Sequence, residues 1–393
     1  MRVLHVLPSI SLEHGGPAHA VRAMATAAVE RGMHVEIAAT TRTYQYETLE
    51  LAEQQKRVTE FEENGVRFHL FPERHGLSVP LTRWLVANTA RFDVLHIHVP
   101  FAYSTLAACA VARAKRVPYV YRTIGTLDPW CFAQKAWKKR PYYRMFIERE
   151  LRNAASIHVT SEAERQALAG LGFEARVEVI PVGVELPPLQ NRSAEGRSTR
   201  LLFLGRLDPI KALPVLLEAV AALLRGDHEV VLQVAGVGTA AYRRELEANV
   251  RRLGLGDRVQ FLGFVRGEAK IRLLAESDVF VLPSFHESFG VAVVEAMAAG
   301  MPAVVSDHVA LASEIDQARA GAVARAGDVD SLVRALEQML DPSVRLESAQ
   351  RARELVESRF TFDAMGRALD RVYRQIARTG FTRTFGPETV SGT

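Results

Sequence analysis

Apolar and polar positions follow two regimes in turn along almost the whole chain. Apolar runs of roughly four to eight residues, the length of buried strands, are followed by stretches whose apolar positions recur three or four apart, as on amphipathic helices. The first half reads as strand Val3–Pro8, a glycine-rich loop, helix Ala18–Arg31 and strand His34–Thr40. Strand Val66–Phe71, helix Leu81–Arg91, strand Asp93–His98, helix Ser104–Lys115 and strand Tyr119–Ile124 come next. A long loop, a basic helix from Lys135 to Asn153 and strands Ser156–Thr160 and Val177–Pro181 complete this half. Between Glu185 and Ser198 the periodicity stops in ELPPLQNRSAEGRS, a composition expected of a linker. The alternation then begins afresh with strands Leu201–Leu204, Val230–Ala235, Val259–Phe264, Val279–Leu282 and Ala303–Ser306, and helical patterns dominate from Asp328 to Thr379.

Strands alternating with helices predict parallel sheets covered on both faces. Two such series predict an α/β protein of two doubly wound, Rossmann-like domains that face each other across a cleft, with ligand at the carboxyl ends of the strands. The expected partition is residues 1–185, a linker at 186–198, and a second domain at 199–360. A C-terminal helix at 361–379 is expected to pack back on the first domain, and a flexible tail at 380–393 ends the chain.

The most informative stretch is VFVLPSFHESFGVAVVEAMAAGMP, Val279 to Pro302. A buried-strand run ends at Pro283-Ser284, and a helix is predicted from Gly290 to Ala299, closed by Gly300 and Pro302. A strand that hands over to a helix through a short polar loop aims backbone N–H groups and the helix dipole at an anion. Glu287 sits in that loop, and Glu295 about two turns further on is within reach of a hydroxyl-rich group. The pattern suits a ligand with polyol at both ends and phosphate between, as in a nucleotide sugar. A surface loop with an ordinary helix glutamate is the plain alternative.

Other junctions carry related chemistry. Gly15-Gly16 ahead of the first helix, with Pro17 near its first position, permits close backbone approach to a phosphate, although a plain tight turn explains it equally and it is not a GxGxxG. In LLFLGRLDPIK, Arg206 and Lys211 follow a strand and open a helix. Two cations there are placed to neutralise a diphosphate leaving group; a solvated pair, or a Schiff-base lysine at 211, are the alternatives. On DVLHIH, His96 and His98 are read as pointing to opposite faces, with only His98 placed to reach the ligand and His96 buried and hydrogen-bonded. Asp328-Val329-Asp330 has the letters of a metal-binding Asp-x-Asp, but it precedes a helical run, so Asp328 is read as its N-cap.

Composition narrows the class. The chain's 393 residues suggest two domains, and 48% hydrophobic with 24% charged residues is a soluble globular balance. No apolar run approaches the ~20 residues that span a bilayer. The N-terminus reads as a first strand rather than a secretory signal. Cys109 and Cys131 stand alone, which fits a reducing cytoplasm. The net charge of +4 accommodates an anionic ligand or membrane surface without calling for nucleic acid. QKAWKKRPYYRMFIERE mixes Lys135, Lys138, Lys139, Arg140 and Arg144 with Trp137, Tyr142, Tyr143 and Phe146. It suits an anionic membrane face or a lipid-diphosphate acceptor, or else is a solvated basic helix interrupted by Pro141.

HGGP in the first loop, DVLHIH, GRLDPIK, VQFLGFV and above all PSFHESFGVAVVEAMAAGMPAVVSD, with its E-x7-E from Glu287 to Glu295, together resemble a family-4 retaining glycosyltransferase of GT-B fold over nearly the whole chain. The resemblance implies that Glu287 contacts the donor sugar and Glu295 the ribose. It places backbone of Ser288, Phe289 and Gly290 at the phosphates or sugar, Arg206 and Lys211 on the diphosphate, Phe264 and Val265 beside the base, and Gly15 and Gly16 over the phosphates from the other domain. Three departures stand out. Ile124 occupies the position before the glycine where many relatives carry histidine, as RTIGTLDPW resembles a subgroup acting on surface polysaccharides. Val182 replaces a usual asparagine, and SDHVALASEI lacks glycines often seen there.

The expected function is therefore metal-independent, retaining transfer of a hexose from a nucleotide-diphosphate sugar to a glycan or lipid-linked glycan acceptor in surface or exopolysaccharide biosynthesis. No cofactor is expected, and the location is cytoplasmic or peripheral on the membrane's cytoplasmic face. Glu287, Arg206, Lys211 and His98 are the expected catalytic set. The competing readings are a nucleotide-sugar 2-epimerase of the same fold and a catalytically silent nucleotide-sugar-binding protein.

Overall fold

The computed structural model describes residues 1–11, 16–41, 58–133, 136–174, 176–189 and 198–379. Gly15, Lys135, most of the expected linker and the expected tail lie outside these residues. The chain divides into two compact units. One comprises Met1–Val159, Arg165–Ile180 and the segment from Gly366 on; the other comprises Thr160–Glu164 and Pro181–Met365. The crossing at Pro181 falls ahead of the proline- and serine-rich stretch. The last helix, Phe362–Thr379, carries the chain back into the first unit.

The first unit is built on an eight-stranded sheet. Its strands are β1 (Arg2–Leu7), β2 (His34–Thr40), β3 (Thr59–Glu63), β4 (Val66–Phe71), β5 (Val94–His98), β6 (Tyr119–Arg122), β7 (Ser156–Val159) and β8 (Val177–Val179), in spatial order β3-β4-β2-β1-β5-β6-β7-β8. The reversal of order at β1 is the topological switch of a doubly wound sheet. β1, β5, β6 and β7 are buried along nearly their whole length because helices cover both faces, which is why they read as unbroken apolar runs. Leu4, Val6, Ile97, Tyr119, Tyr121 and Ile157 form the centre of the core.

β3 was not expected. Four of its five residues, in TEFEE, are exposed, and it pairs antiparallel with β4 at the sheet edge. Its backbone hydrogen bonds, not apolar burial, make it a strand, and acidic side chains suit an edge that resists further pairing. The basic helix is also not continuous. Ala136–Tyr142 contains Pro141, Tyr143–Ile147 is a π-helical turn, and Glu148–Asn153 resumes the α-helix. Proline removes one N–H and crowds the carbonyl four residues earlier, a recognised origin of such irregularity.

The second unit has a six-stranded, all-parallel sheet in the order β11-β10-β9-β12-β13-β14. Its strands are β9 (Thr199–Leu204), β10 (Val230–Ala235), β11 (Val259–Gly263), β12 (Val279–Leu282), β13 (Ala303–Ser306) and β14 (Gly321–Ala324). β14 also escaped the sequence pattern, since GAVA carries only small side chains; its pairing with β13 defines it. β12 and β13 are wholly buried, and Leu201, Phe203, Leu232, Phe280 and Val304 centre this second core. Asp328 caps helix Val329–Leu340 by accepting a hydrogen bond from the Ser331 amide at 2.9 Å, so it serves the helix as its N-cap.

Candidate functional site

In the second unit three loops leave the carboxyl ends of β9, β12 and β13 and are stitched together through backbone. After β9, Asp208 caps a 3-10 turn, Pro209–Lys211, by accepting from the Ile210 amide at 3.1 Å. The Phe285 amide, after β12, donates to the Ile210 carbonyl at 2.8 Å. Glu287 is held on both sides: its amide donates to the His308 carbonyl at 3.1 Å, and its carbonyl accepts from Ala310 at 2.9 Å. Ser306 donates from its hydroxyl to the Ser284 carbonyl at 2.5 Å. These bonds satisfy buried backbone groups and also fix the loops against each other.

On this frame Lys211 and Glu287, 76 residues apart, form a direct ion pair, with side chains only 14% and 19% exposed. Arg206 stands nearby in sequence but is 57% exposed, 3.7 Å from Asp208, and so presents its guanidinium largely to solvent. Helix Val291–Ala298 starts immediately after Gly290, which has φ 89° and ψ 60°. A Cβ at Gly290 would lie 3.1 Å from Val293 Cγ2 and 3.4 Å from Glu287 Cγ, so both conformation and clearance call for glycine. The Phe289 ring is buried edge-on against Phe360, at 5.9 Å between centroids. Gly290 is buried beside it, and Ser288, half-buried, accepts at its carbonyl from the Ser161 hydroxyl at 3.3 Å. Phe264 is exposed just beyond β11, with half-buried Val265 after it.

Glu295, on helix Val291–Ala298, is not alone. Its carboxylate accepts from Lys270 Nζ at 2.7 Å, with both side chains 24% exposed. Lys270 comes from helix Gly267–Glu276, directly after the Phe264–Val265 loop. Sequence gave no reason to single it out, since one lysine on an amphipathic helix looks like any solvated lysine. A second unforeseen feature is Gly236 at the end of β10, with φ 147°. A Cβ there would meet the Gly205 carbonyl oxygen at 1.8 Å, so backbone crosses backbone where the β9 and β10 loops begin.

Of the other expected residues, Gly16 belongs to the first unit as the exposed first residue of helix Gly16–Val29. The expectation for His96 and His98 is corrected. Residues two apart on a strand share a face, and the two rings stack at 4.2 Å between centroids, both fully buried. His98 therefore offers no exposed surface to a ligand; its Nε2 pairs with His5 Nδ1 at 2.9 Å.

His96 belongs to a longer chain of hydrogen bonds whose direction can be deduced. The Ile180 carbonyl can only accept, so His158 donates to it from Nε2 at 2.8 Å and accepts at Nδ1. Neutral His96 then donates from Nε2 to His158 at 3.1 Å and accepts at Nδ1 from the Tyr373 hydroxyl at 2.6 Å. Neutrality follows from burial. It lowers His5 and His158 to about 3, with Arg122 adding in the same direction, and lowers His96 and His98 well below their ordinary range. His5, His96 and His98 have ligand atoms within 4.8 Å of one another, a spacing that would fit a metal. Both nitrogens of His96 are committed to Tyr373 and His158, however, so hydrogen bonding accounts for that member.

Residues 15–183 match the family described as "Glycosyl transferase 4-like domain", and residues 190–357 match "Glycosyl transferases group 1". The phosphatidyl-myo-inositol mannosyltransferase of Mycobacterium leprae is 32% identical over 305 residues, 76% of this chain and 77% of its own. The GDP-mannose:cellobiosyl-diphosphopolyprenol alpha-mannosyltransferase of Xanthomonas campestris is 29% identical over 229 residues, 57% of this chain and 59% of its own. Among solved structures, sucrose-phosphate synthase from Thermosynechococcus elongatus gives a TM-score of 0.76 at 20% identity, covering 96% of this chain and all, 100%, of that one. HepE of Anabaena in complex with UDP and glucose gives 0.74 at 19% identity, with coverage of 96% and 100%. Those structural likenesses establish the fold, and the mycobacterial relative together with the two matched regions establishes the lineage: this chain belongs to the family-4 glycosyltransferases of GT-B fold.

Proposed function

We propose that this glycosyltransferase moves a hexose, with retention of configuration and without a metal, from a nucleotide-diphosphate sugar to a lipid-linked or glycan acceptor used in surface polysaccharide synthesis. The observation that carries the donor assignment is the Lys211–Glu287 pair, with exposed Arg206 on the same loop as Lys211 and helix Val291–Ala298 starting four residues after Glu287. A diphosphate docking there meets two cations and a helix N-terminus, and such preorganised charge stabilises a departing nucleoside diphosphate. Glu287, released from or shared with Lys211, is then positioned to accept hydrogen bonds from sugar hydroxyls. Glu295 has the matching chemistry for the ribose. Mannose is the first hexose to test, because two relatives are named as mannosyltransferases, one of them with GDP-mannose.

The lipid-linked acceptor is supported by a surface of the first unit. Trp137 is 74% and Met145 66% exposed, and Phe146 is exposed too, on a stretch that also exposes Lys138, Arg140 and Arg144. Apolar side chains amid lysine and arginine fit the interface of an anionic bilayer. No helix among the described residues is long and apolar enough to cross a membrane.

The test is a thermal-shift and hydrolysis screen of UDP-, GDP- and ADP-sugars in EDTA, followed by Lys211→Ala. One donor is expected to stabilise the protein and to release nucleotide slowly. Lys211→Ala should cut turnover ~100-fold or more with the fold intact, about the loss seen on removing one transition-state contact. Near-wild-type turnover in that variant rules out the assignment of Lys211 to the leaving group.

A further inference from the structure

The ion pair between Lys270 and Glu295 is not used by the donor chemistry above, yet it lies on the residue assigned to the ribose. Lys270 reaches Glu295 from a different helix, Gly267–Glu276, at 2.7 Å, and both side chains are three-quarters covered. Glu295 Oε2 has lone pairs beyond the one given to the lysine, so the carboxylate still has capacity for two hydroxyl donors. Without a partner the carboxylate would rotate freely about its last bond and would carry an unopposed negative charge into the donor position assigned above.

We propose that Lys270 is a positioning residue for the donor ribose. It fixes the rotation of the Glu295 carboxylate so that both oxygens face the 2′- and 3′-hydroxyls, and it offsets a charge that would otherwise repel the diphosphate. This rests on the donor assignment above. A lysine that merely ties two helices together would give the same ion pair, but it would not care which hydroxyls the nucleotide carries.

The experiment exploits that difference. UDP, GDP and ADP are titrated against wild type, and the diphosphate that binds is then compared with its 2′-deoxy form. Lys270→Met retains the apolar stem and removes the charge; Lys270→Arg retains the charge. Lys270→Met is expected to weaken the ribonucleotide about 10-fold and to narrow the ribo-to-deoxy preference to within about twofold. Lys270→Arg should restore at least half of that preference on a logarithmic scale. With the cognate donor, Lys270→Met should raise KM with kcat changed by less than about threefold, the split expected when uniform binding is lost. Equal weakening of both nucleotides, or no change in either, overturns the ribose-positioning role while leaving the donor assignment standing. A wild-type protein that binds none of the three diphosphates overturns the donor assignment and this proposal together.

Discussion

Gly290 joins the acidic loop to the helix that carries Glu295, and Gly290→Ala tests whether its geometry matters to the site. At φ 89° and ψ 60° an L-residue pays roughly 1–2 kcal/mol for left-handed backbone. Part of this, about 0.4–1 kcal/mol, is returned because alanine restricts the unfolded chain. The new methyl group would then stand 3.1 Å from Val293 Cγ2, in a fully buried side chain, and 3.4 Å from Glu287 Cγ. Val293 cannot retreat into the core without cost, so the loop and Glu287 must yield by a few tenths of an ångström. The expected net destabilisation is about 1–2 kcal/mol by urea unfolding. The expected fall in kcat/KM is larger, 10-fold or more, because small displacements of a positioned group are costly to transfer chemistry. Both quantities are measured on the same preparation, with donor saturation checked separately. A variant with wild-type stability and wild-type kcat/KM refutes the claim that this backbone conformation places Glu287. A loss of stability with unchanged kcat/KM would reduce Gly290 to a helix cap.

Tyr373→Phe removes the donor to a buried His96 nitrogen and should cost about 1–3 kcal/mol in urea unfolding; an unchanged midpoint would show that this bond contributes nothing. The buried histidines make stability fall with acidity. His5 and His158 bind a proton near 6.5 when unfolded but only at about 3 when folded, so their contribution is complete above pH 6.5 and is lost progressively as pH falls from there toward 3. Each should cost roughly 2 kcal/mol at pH 5 relative to pH 7, and His158→Gln should flatten the slope between those values measured by denaturant titration. Trp137→Asp should reduce flotation with anionic vesicles at low salt several-fold while leaving turnover on a soluble acceptor unaffected; undiminished flotation would remove this surface from the membrane assignment.

The two-unit α/β architecture was legible because doubly wound sheets bury both faces of their strands, and runs such as Val279–Leu282 must then be apolar throughout. The strand–loop–helix carrying Glu287 and Glu295 was equally legible, since proline and glycine punctuate it. The edge strand Thr59–Glu63 was not, because its stability comes from backbone pairing with β4 and its side chains face water. The pattern on DVLHIH did hold the answer about His96 and His98, as a two-residue spacing fixes a shared face, but nothing local says that the face is sealed. Only the fold brings His5, His158 and Tyr373 to those rings from three other elements, and burial above all, with Arg122 adding in the same direction, keeps the imidazoles neutral. The same holds for Lys211 with Glu287 and Lys270 with Glu295. Residue type and spacing named three of these four charges, but the partners are set by where separate loops and helices meet at the ends of parallel strands. Local sequence determines which segments become strands and helices because burial and hydrogen bonding act within a few residues. Pairings across 76 residues, such as Lys211 with Glu287, are decided by the order of strands in the sheet.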